Sequence, residues 1–232
     1  MPVFAFLFWD PTFILLIPAM LFGVWAQMRV KSAYRAGLEV ASRRGMSGRE
    51  VAERLLRAQG LTGVSVRSTQ GQLDDHYDPR NRTVNLSPAV HDGASLASLA
   101  IAAHETGHAL QHGQSWAPLA MRSAIAPTVG FASTLAFPLF FIGFIFSSMR
   151  MLMDLGIVFF AGAVLFHMVT LPVEFDASRR AMALLKDGRY LEVDEAAGAK
   201  KVLDAAALTY VAAAAVSVMH LVRLLVLRGS RD

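Results

Sequence analysis

His104-Glu105-Thr106-Gly107-His108 is the stretch whose residue types and spacing are best suited to chemistry. It reads H-E-x-x-H, the arrangement with which one helix offers two histidines to a catalytic zinc. Residues i and i+4 leave the same helix face one turn, about 5.4 Å, apart. Both imidazoles can then reach one ion at about 2.0–2.1 Å. Glu105 points beside that face, where it meets a zinc-acidified water rather than the metal, the place for a general base. The competing reading is a buried helix with paired histidines and no metal. The flanking pattern Ser95–Gln111 predicts the required helix: it is rich in Ala and Leu, and Asp92 or Ser95 stands ready to cap it.

A catalytic zinc usually takes three protein ligands and leaves one position for water. His112 continues the spacing, but on an unbroken helix it lies about 12 Å from His104 and cannot share an ion with it. The longer motif H-E-x-x-H-x-x-G-x-x-H is not met either, because Gln111 and Gln114 occupy the places of its glycine and third histidine. His112 is therefore expected beside the site, on the cleft wall. Glu174, 66 residues after His108, is the stronger candidate. It follows an apolar run immediately, and two such runs between it and His108 would carry the chain across a membrane and back. A solvated glutamate at a helix start and Asp176 as the ligand are the alternatives at this point.

These residues need elements to hold them, and the composition says which kind. Hydrophobic residues make up 54% of the chain and charged residues 17%, too apolar for an ordinary soluble domain. Long runs carry the excess: Val3 to Met28, broken by Asp10 and Pro11; Pro127 to Phe146; Leu155 to Val173; and Ala205 to Leu227, broken by His220 and Arg223. Each is about 20 residues, enough to cross a hydrocarbon core of about 30 Å. The first lacks a basic leader and a small-residue cleavage site, so it reads as a retained anchor in which Pro11 and Pro18 introduce kinks. His167 and His220, inside proposed spans, are expected to be neutral imidazoles hydrogen-bonded between helices.

The absence of cysteine removes disulfides, thiolate metal sites and a cysteine nucleophile. The basic residues follow the ends of the apolar runs and form no nucleic-acid motif. With four spans, Arg29, Lys31, Arg35, Arg122, Arg179, Arg180, Lys186, Lys200 and Lys201 flank the membrane on the H-E-x-x-H side, against Arg150, Arg228 and Arg231 on the other. The positive-inside rule puts the first side in the cytoplasm.

The polar segments predict a small α+β region. Arg29–Arg44 continues the first anchor as a basic amphipathic helix able to lie against anionic headgroups. Ser47-Gly48-Arg49-Glu50 is a capping box for a helix that stops at Gly60. Val64-Ser65-Val66 and Thr83-Val84-Asn85-Leu86 alternate as strands, with a turn at Asp78-Pro79-Arg80-Asn81. The second strand, just before the histidine helix, offers an edge for an extended peptide, or merely packs under that helix. Asp74, Asp75, His76 and Asp78 match no calcium loop and read mainly as turn and surface chemistry.

Together these motifs resemble the YugP-type membrane-bound zinc metallopeptidases, which are related in plan to the HtpX-type membrane proteases. The resemblance is carried by Asp10-Pro11-Thr12, Gly71-Gln72-Leu73 through Asp75-His76-Tyr77-Asp78-Pro79-Arg80, Ala102–Ala109, Leu171-Pro172-Val173-Glu174-Phe175, Gly198-Ala199-Lys200-Lys201-Val202-Leu203 and Ala205–Tyr210. It implies a zinc site of His104, His108 and Glu174 with Glu105 catalytic. The HtpX-like pattern E-x-x-A-D ends here in Ser178 rather than an aspartate, so no aspartate role carries over to that position.

The expectation is a mainly α, integral membrane protein with about four transmembrane helices and a small α+β, zincin-like (gluzincin-like) catalytic domain. Its parts are an anchor at 1–28, a cytoplasmic catalytic region at 29–126, a transmembrane hairpin at 127–173, a third-ligand segment at 174–204 and a last span at 205–227. The expected activity is a Zn²⁺-dependent endopeptidase acting on peptides or membrane proteins, with the bilayer as partner and no nucleic acid. His76, His112 and Tyr210 are the candidate donors for substrate or oxyanion. A catalytically inactive zinc-binding scaffold and a small transporter are the rivals. Intact Glu105 argues against the first, and His167 and His220 are thin support for the second.

Overall fold

A computed structural model gives the fold and describes residues 11–230. The beginning of the first apolar run, Val3 to Asp10, and Arg231 lie outside the described residues. The chain divides into two compact units. One comprises Gln27–Ala120 and Pro172–Leu208, and the other comprises Met121–Leu171 and Thr209–Asp232 with the residues up to Ala26.

The apolar unit is helical. Among the described residues, three helices are long and apolar enough to cross a membrane. We label them α5 (Ala117–Ile145), α6 (Arg150–Asp187) and α7 (Ala196–Gly229). The first apolar run opens as a 3₁₀ turn, Pro11–Leu15, followed by α1, Ile17–Glu39. Pro18 sits in the first turn of α1, where its missing N–H breaks no helical bond. Within this unit α5 and α6 form an antiparallel hairpin through the short turn Ser147–Met149. A Cβ on Gly156 would lie 2.6 Å from Ala136 O and Phe140 N, so only glycine lets the two backbones touch there. Phe140, Met153, Ile157, Phe160 and Leu224 fill the space between α5, α6 and α7. Phe131, Val158 and Leu165 face outward, the disposition expected of a helix surface bathed in lipid. Arg228 pairs with Asp154 at 2.5 Å, tying the C-terminal end of α7 to the second turn of α6. His220 meets the rings of Phe137 and Phe160 edge-on, and among the described residues its Nδ1 has no hydrogen-bond partner.

The second unit carries the polar segments. α2, Gly48–Ala58, begins at the expected capping box: Ser47 Oγ accepts from Glu50 N, and the Glu50 carboxylate accepts from Ser47 N at 2.8 Å. Gly60, in the left-handed region at φ 72°, follows its end. The strands are β1 (Ser65–Ser68), β2 (His76–Asp78) and β3 (Thr83–Leu86), in the order β1-β3-β2. β1 runs parallel to β3, and β2 antiparallel to it. Asp78 fixes the β2–β3 turn by accepting from Arg80 N and Asn81 Nδ2, at 2.8 and 2.6 Å. The short α3, Pro88–His91, leads into α4, Leu96–Gly113, whose N-cap is Ser95. α4 is buried nearly all round by Val51, Leu55, Val84, Leu86, Ala181, Leu185 and Val202 and their neighbours, which is why its sequence is apolar on every side.

Three expectations change. The strand at Thr83–Leu86 is the centre of the sheet, bonded on both sides, so it offers no edge to a peptide; β2, hidden in what reads as a polar turn cluster, is the edge strand on that side. Asp75 is not surface chemistry: its carboxylate accepts from Ser87 N and Oγ at 2.7 and 3.0 Å. The alternative of a solvated glutamate at a helix start falls too: α6 runs unbroken through Glu174 to Asp187, with Pro172 inside, and Glu174 is buried.

Candidate metal centre

α4 projects His104 and His108 from one face, with ring centroids 4.8 Å apart and planes nearly perpendicular. Opposite them stands Glu174 of α6. Its Oε2 lies 3.3 Å from His104 Nε2 and 3.5 Å from His108 Nε2. These residues form the one group of three or more potential ligands among the described residues whose donor atoms all lie within 4.8 Å of one another. For tetrahedral zinc with bonds of about 2.0–2.1 Å, neighbouring donors stand about 3.3–3.4 Å apart. A direct N–H···O bond would instead prefer about 2.9 Å. The donor types and the two carboxylate–imidazole separations therefore suit a zinc ion.

Close contact of two backbones makes this possible. A Cβ added to Gly107 would lie 2.7 Å from Ala177 O. The glycine between the histidines thus lets α4 press onto α6 one turn past Glu174. Any side chain there would hold the carboxylate away from the imidazoles.

Burial opposes the charge on Glu174, but hydrogen bonds and positive charge from His104 and His108 outweigh it and hold the carboxyl far below the usual carboxylate range. Burial likewise opposes a charge on His108, but its hydrogen bond to Glu174 and the charges of Glu105 and Glu174 lift its pKa above the ordinary value. Without metal, His108 and Glu174 thus each favour the charged form of the other. Glu105 is buried on the same helix. It also acts through charge on Asp75, whose pKa is raised first by burial, against the hydrogen bonds from Ser87.

Each imidazole is held from behind. His104 Nδ1 lies 3.2 Å from Ser178 Oγ, the position where the resembled pattern has an aspartate. His108 Nδ1 lies 3.0 Å from Gln111 Oε1. Gln111 in turn donates to Val173 O and to Asp176 Oδ2, each at 2.9 Å. Arg179 and Arg180 pair with Asp176, and Arg180 also reaches Gln114 at 2.7 Å and stacks over Trp116. Asp176 is thus engaged by arginines and an amide, apart from the three donors.

The other candidates lie elsewhere. His112 Nδ1 is 2.8 Å from Tyr77 Oη and outside the donor group. His76, at the start of β2, places Nδ1 2.8 Å from Asp74 O and Nε2 3.3 Å from Asn85 Nδ2. Tyr210 belongs to the apolar unit's part of α7. Gly107 and Gln111 were not legible as site residues by motif. The available signals were position: Gln111 is i+3 from His108 and shares its face, and Gly107 is the smallest residue at a helix face that must be approached closely.

Residues 12–229 match a family described as "Putative neutral zinc metallopeptidase". The chain is similar to the "Putative membrane protease YugP" of Bacillus subtilis (strain 168), 44% identical over 219 residues, which cover 94% of this chain and 97% of that protein. No solved structure matches the chain significantly. A family match over nearly the whole length, with a relative this similar from end to end, is decisive: the chain belongs to that zinc metallopeptidase family.

Proposed function

We propose that the protein is a membrane-anchored, zinc-dependent endopeptidase in which His104, His108 and Glu174 hold the metal and Glu105 is the general base. The observation that carries this reading is the donor spacing: one carboxylate oxygen at 3.3 and 3.5 Å from two imidazole nitrogens, the edge lengths of a zinc tetrahedron. Bound zinc supplies Lewis-acid polarisation of the scissile carbonyl and acidifies a water. Glu105 accepts the proton of the attacking water and returns it to the leaving amine. Ser178 and Gln111 keep both imidazoles aimed, and the buried setting of Glu174 maintains an anionic oxygen out of bulk water. His112, braced by Tyr77, and His76 are the candidates for meeting the substrate or its developing oxyanion.

The charge distribution along the chain supports an active site on the cytoplasmic side of the membrane; a bacterial cytoplasmic membrane and peptide or membrane-protein substrates complete the proposal. The test is zinc content and cleavage of an unfolded protein substrate by the purified full-length chain and by Glu105→Gln. The variant should keep about one zinc per chain while its turnover falls by about 10²–10⁴-fold, the range general acid–base groups contribute. Cleavage at the wild-type rate by Glu105→Gln would overturn the mechanism. Zinc retained with no cleavage by either protein would favour a scaffold.

A further inference from the structure

Gln111 has no exposed surface, and its amide is oriented without ambiguity. Nε2 donates to Val173 O and Asp176 Oδ2, both at 2.9 Å. A backbone carbonyl and an arginine-paired carboxylate accept only, so turning the amide over would set Oε1 against two acceptors. Oε1 therefore faces His108 Nδ1, 3.0 Å away. An amide oxygen cannot donate, so the hydrogen in that contact sits on Nδ1. The lone pair of the neutral ring is then on Nε2, the atom 3.5 Å from Glu174 Oε2.

We propose that Gln111 is a positioning residue of the metal site: oriented by Val173 and Asp176 of α6, its amide fixes His108 in the Nδ1–H tautomer with Nε2 presented to the metal. This rests on the metal-site reading above. The orienting groups flank Glu174, with Val173 one residue before it and Asp176 two residues after. One side chain of α4 thus sets the donor atom of its own helix and grips the turn of α6 that delivers the third ligand. The two histidines are not equivalent. Ser178 Oγ, 3.2 Å from His104 Nδ1, belongs to a hydroxyl that can donate or accept, so it braces the ring without choosing its tautomer.

The test uses the full-length protein in detergent with zinc as the probe. Zinc affinity is measured by competition with a chelator, and ring nitrogens are read by NMR of ¹⁵N-histidine-labelled, zinc-loaded protein. In the wild type His108 should carry a proton on Nδ1 and metal on Nε2; metal on Nδ1 would overturn the proposal. Gln111→Met keeps the volume and removes the acceptor, and should weaken zinc binding about 10–100-fold, the usual effect of removing such a partner. Gln111→Glu keeps an oxygen that accepts from Nδ1–H but gives up the paired donation to Val173 O and Asp176, so it should lose less affinity than Gln111→Met without matching the wild type. Equal losses in the two variants would mean that Gln111 only fills space, and would refute the role. If Gln111→Met does not fold, the wild-type ring assignment and the Gln111→Glu affinity decide. A wild type that binds no zinc would sink the metal-site reading itself, a result distinct from zinc bound through the other nitrogen.

Discussion

An amide in place of the Glu174 carboxylate keeps the side chain's shape and removes its negative charge. On a divalent cation that charge is a main part of the ligand's contribution, so Glu174→Gln should weaken zinc binding strongly. His112→Ala should retain about one zinc per chain, since its imidazole is engaged with Tyr77 and lies outside the donor group. Zinc lost in His112→Ala and kept in Glu174→Gln would show the ligand set to be wrong. Protons compete for the same site. The pKa of His108 is raised in the metal-free protein, and zinc binds only the deprotonated ring. Affinity should therefore fall as pH drops through that raised value, beginning above the ordinary histidine range near 6.5. A zinc affinity flat from pH 8 to 6 would contradict this mutual stabilisation of charge.

At the scale of elements, the closest approach in the site is backbone to backbone. Gly107→Ala would place a methyl 2.7 Å from Ala177 O, a distance real Cβ contacts do not adopt. The helices must part, so the substitution should cost about 1–3 kcal/mol of stability, as overpacking does, and should weaken zinc binding although no ligand is changed. Thermal unfolding with and without excess zinc would read both effects, and unchanged values in both would disprove the contact. Sequence patterns gave these elements unevenly. The capping box at Ser47 and Glu50, the Ser95 N-cap and the alternation of Thr83–Leu86 are local signals, and each matches the observed structure. The β2 strand was illegible because three residues carry no period, and its pairing is with a neighbour rather than within itself. Likewise, the course of α6 through Pro172 left no local signal, because a proline inside a helix removes one backbone hydrogen bond without ending this one.

At the scale of the whole molecule, the apolar helices and the metal-binding residues alternate along the chain. Three spans of sufficient length and apolarity were legible from composition alone. Which residues share the metal-binding unit was not, because Pro172–Leu208 joins Gln27–Ala120 across 51 intervening residues, Met121–Leu171. Only the motif resemblance and the expectation of a membrane hairpin pointed to Glu174. The side of the membrane is a separate question. The excess of Arg and Lys flanking the apolar runs on the metal side predicts that a reporter fused after Asp232 reads as outside the cytoplasm, and one inserted in Arg29–Arg44 as inside. The reverse pattern would move the active site across the membrane.

The separation of His108 from Glu174 by a helical hairpin also has a meaning in time. A ribosome adds about 5–20 residues per second, so Glu174, 66 residues after His108, follows it by about 3–13 s. Throughout that interval the chain displays both histidines and Glu105 but lacks Glu174. A hydrolase that became competent at its histidine helix would be loose on the ribosome, beside unfolded nascent chains that are ideal substrates. On the proposed ligand set, competence would wait until α5 and the rest of the hairpin had emerged and Glu174 had followed. Nascent chains stalled before residue 174 should therefore neither retain zinc nor cleave peptides, while chains stalled late enough to expose α6 in full should gain the metal. Stoichiometric zinc on the shorter chains would show that the histidine helix needs no such completion.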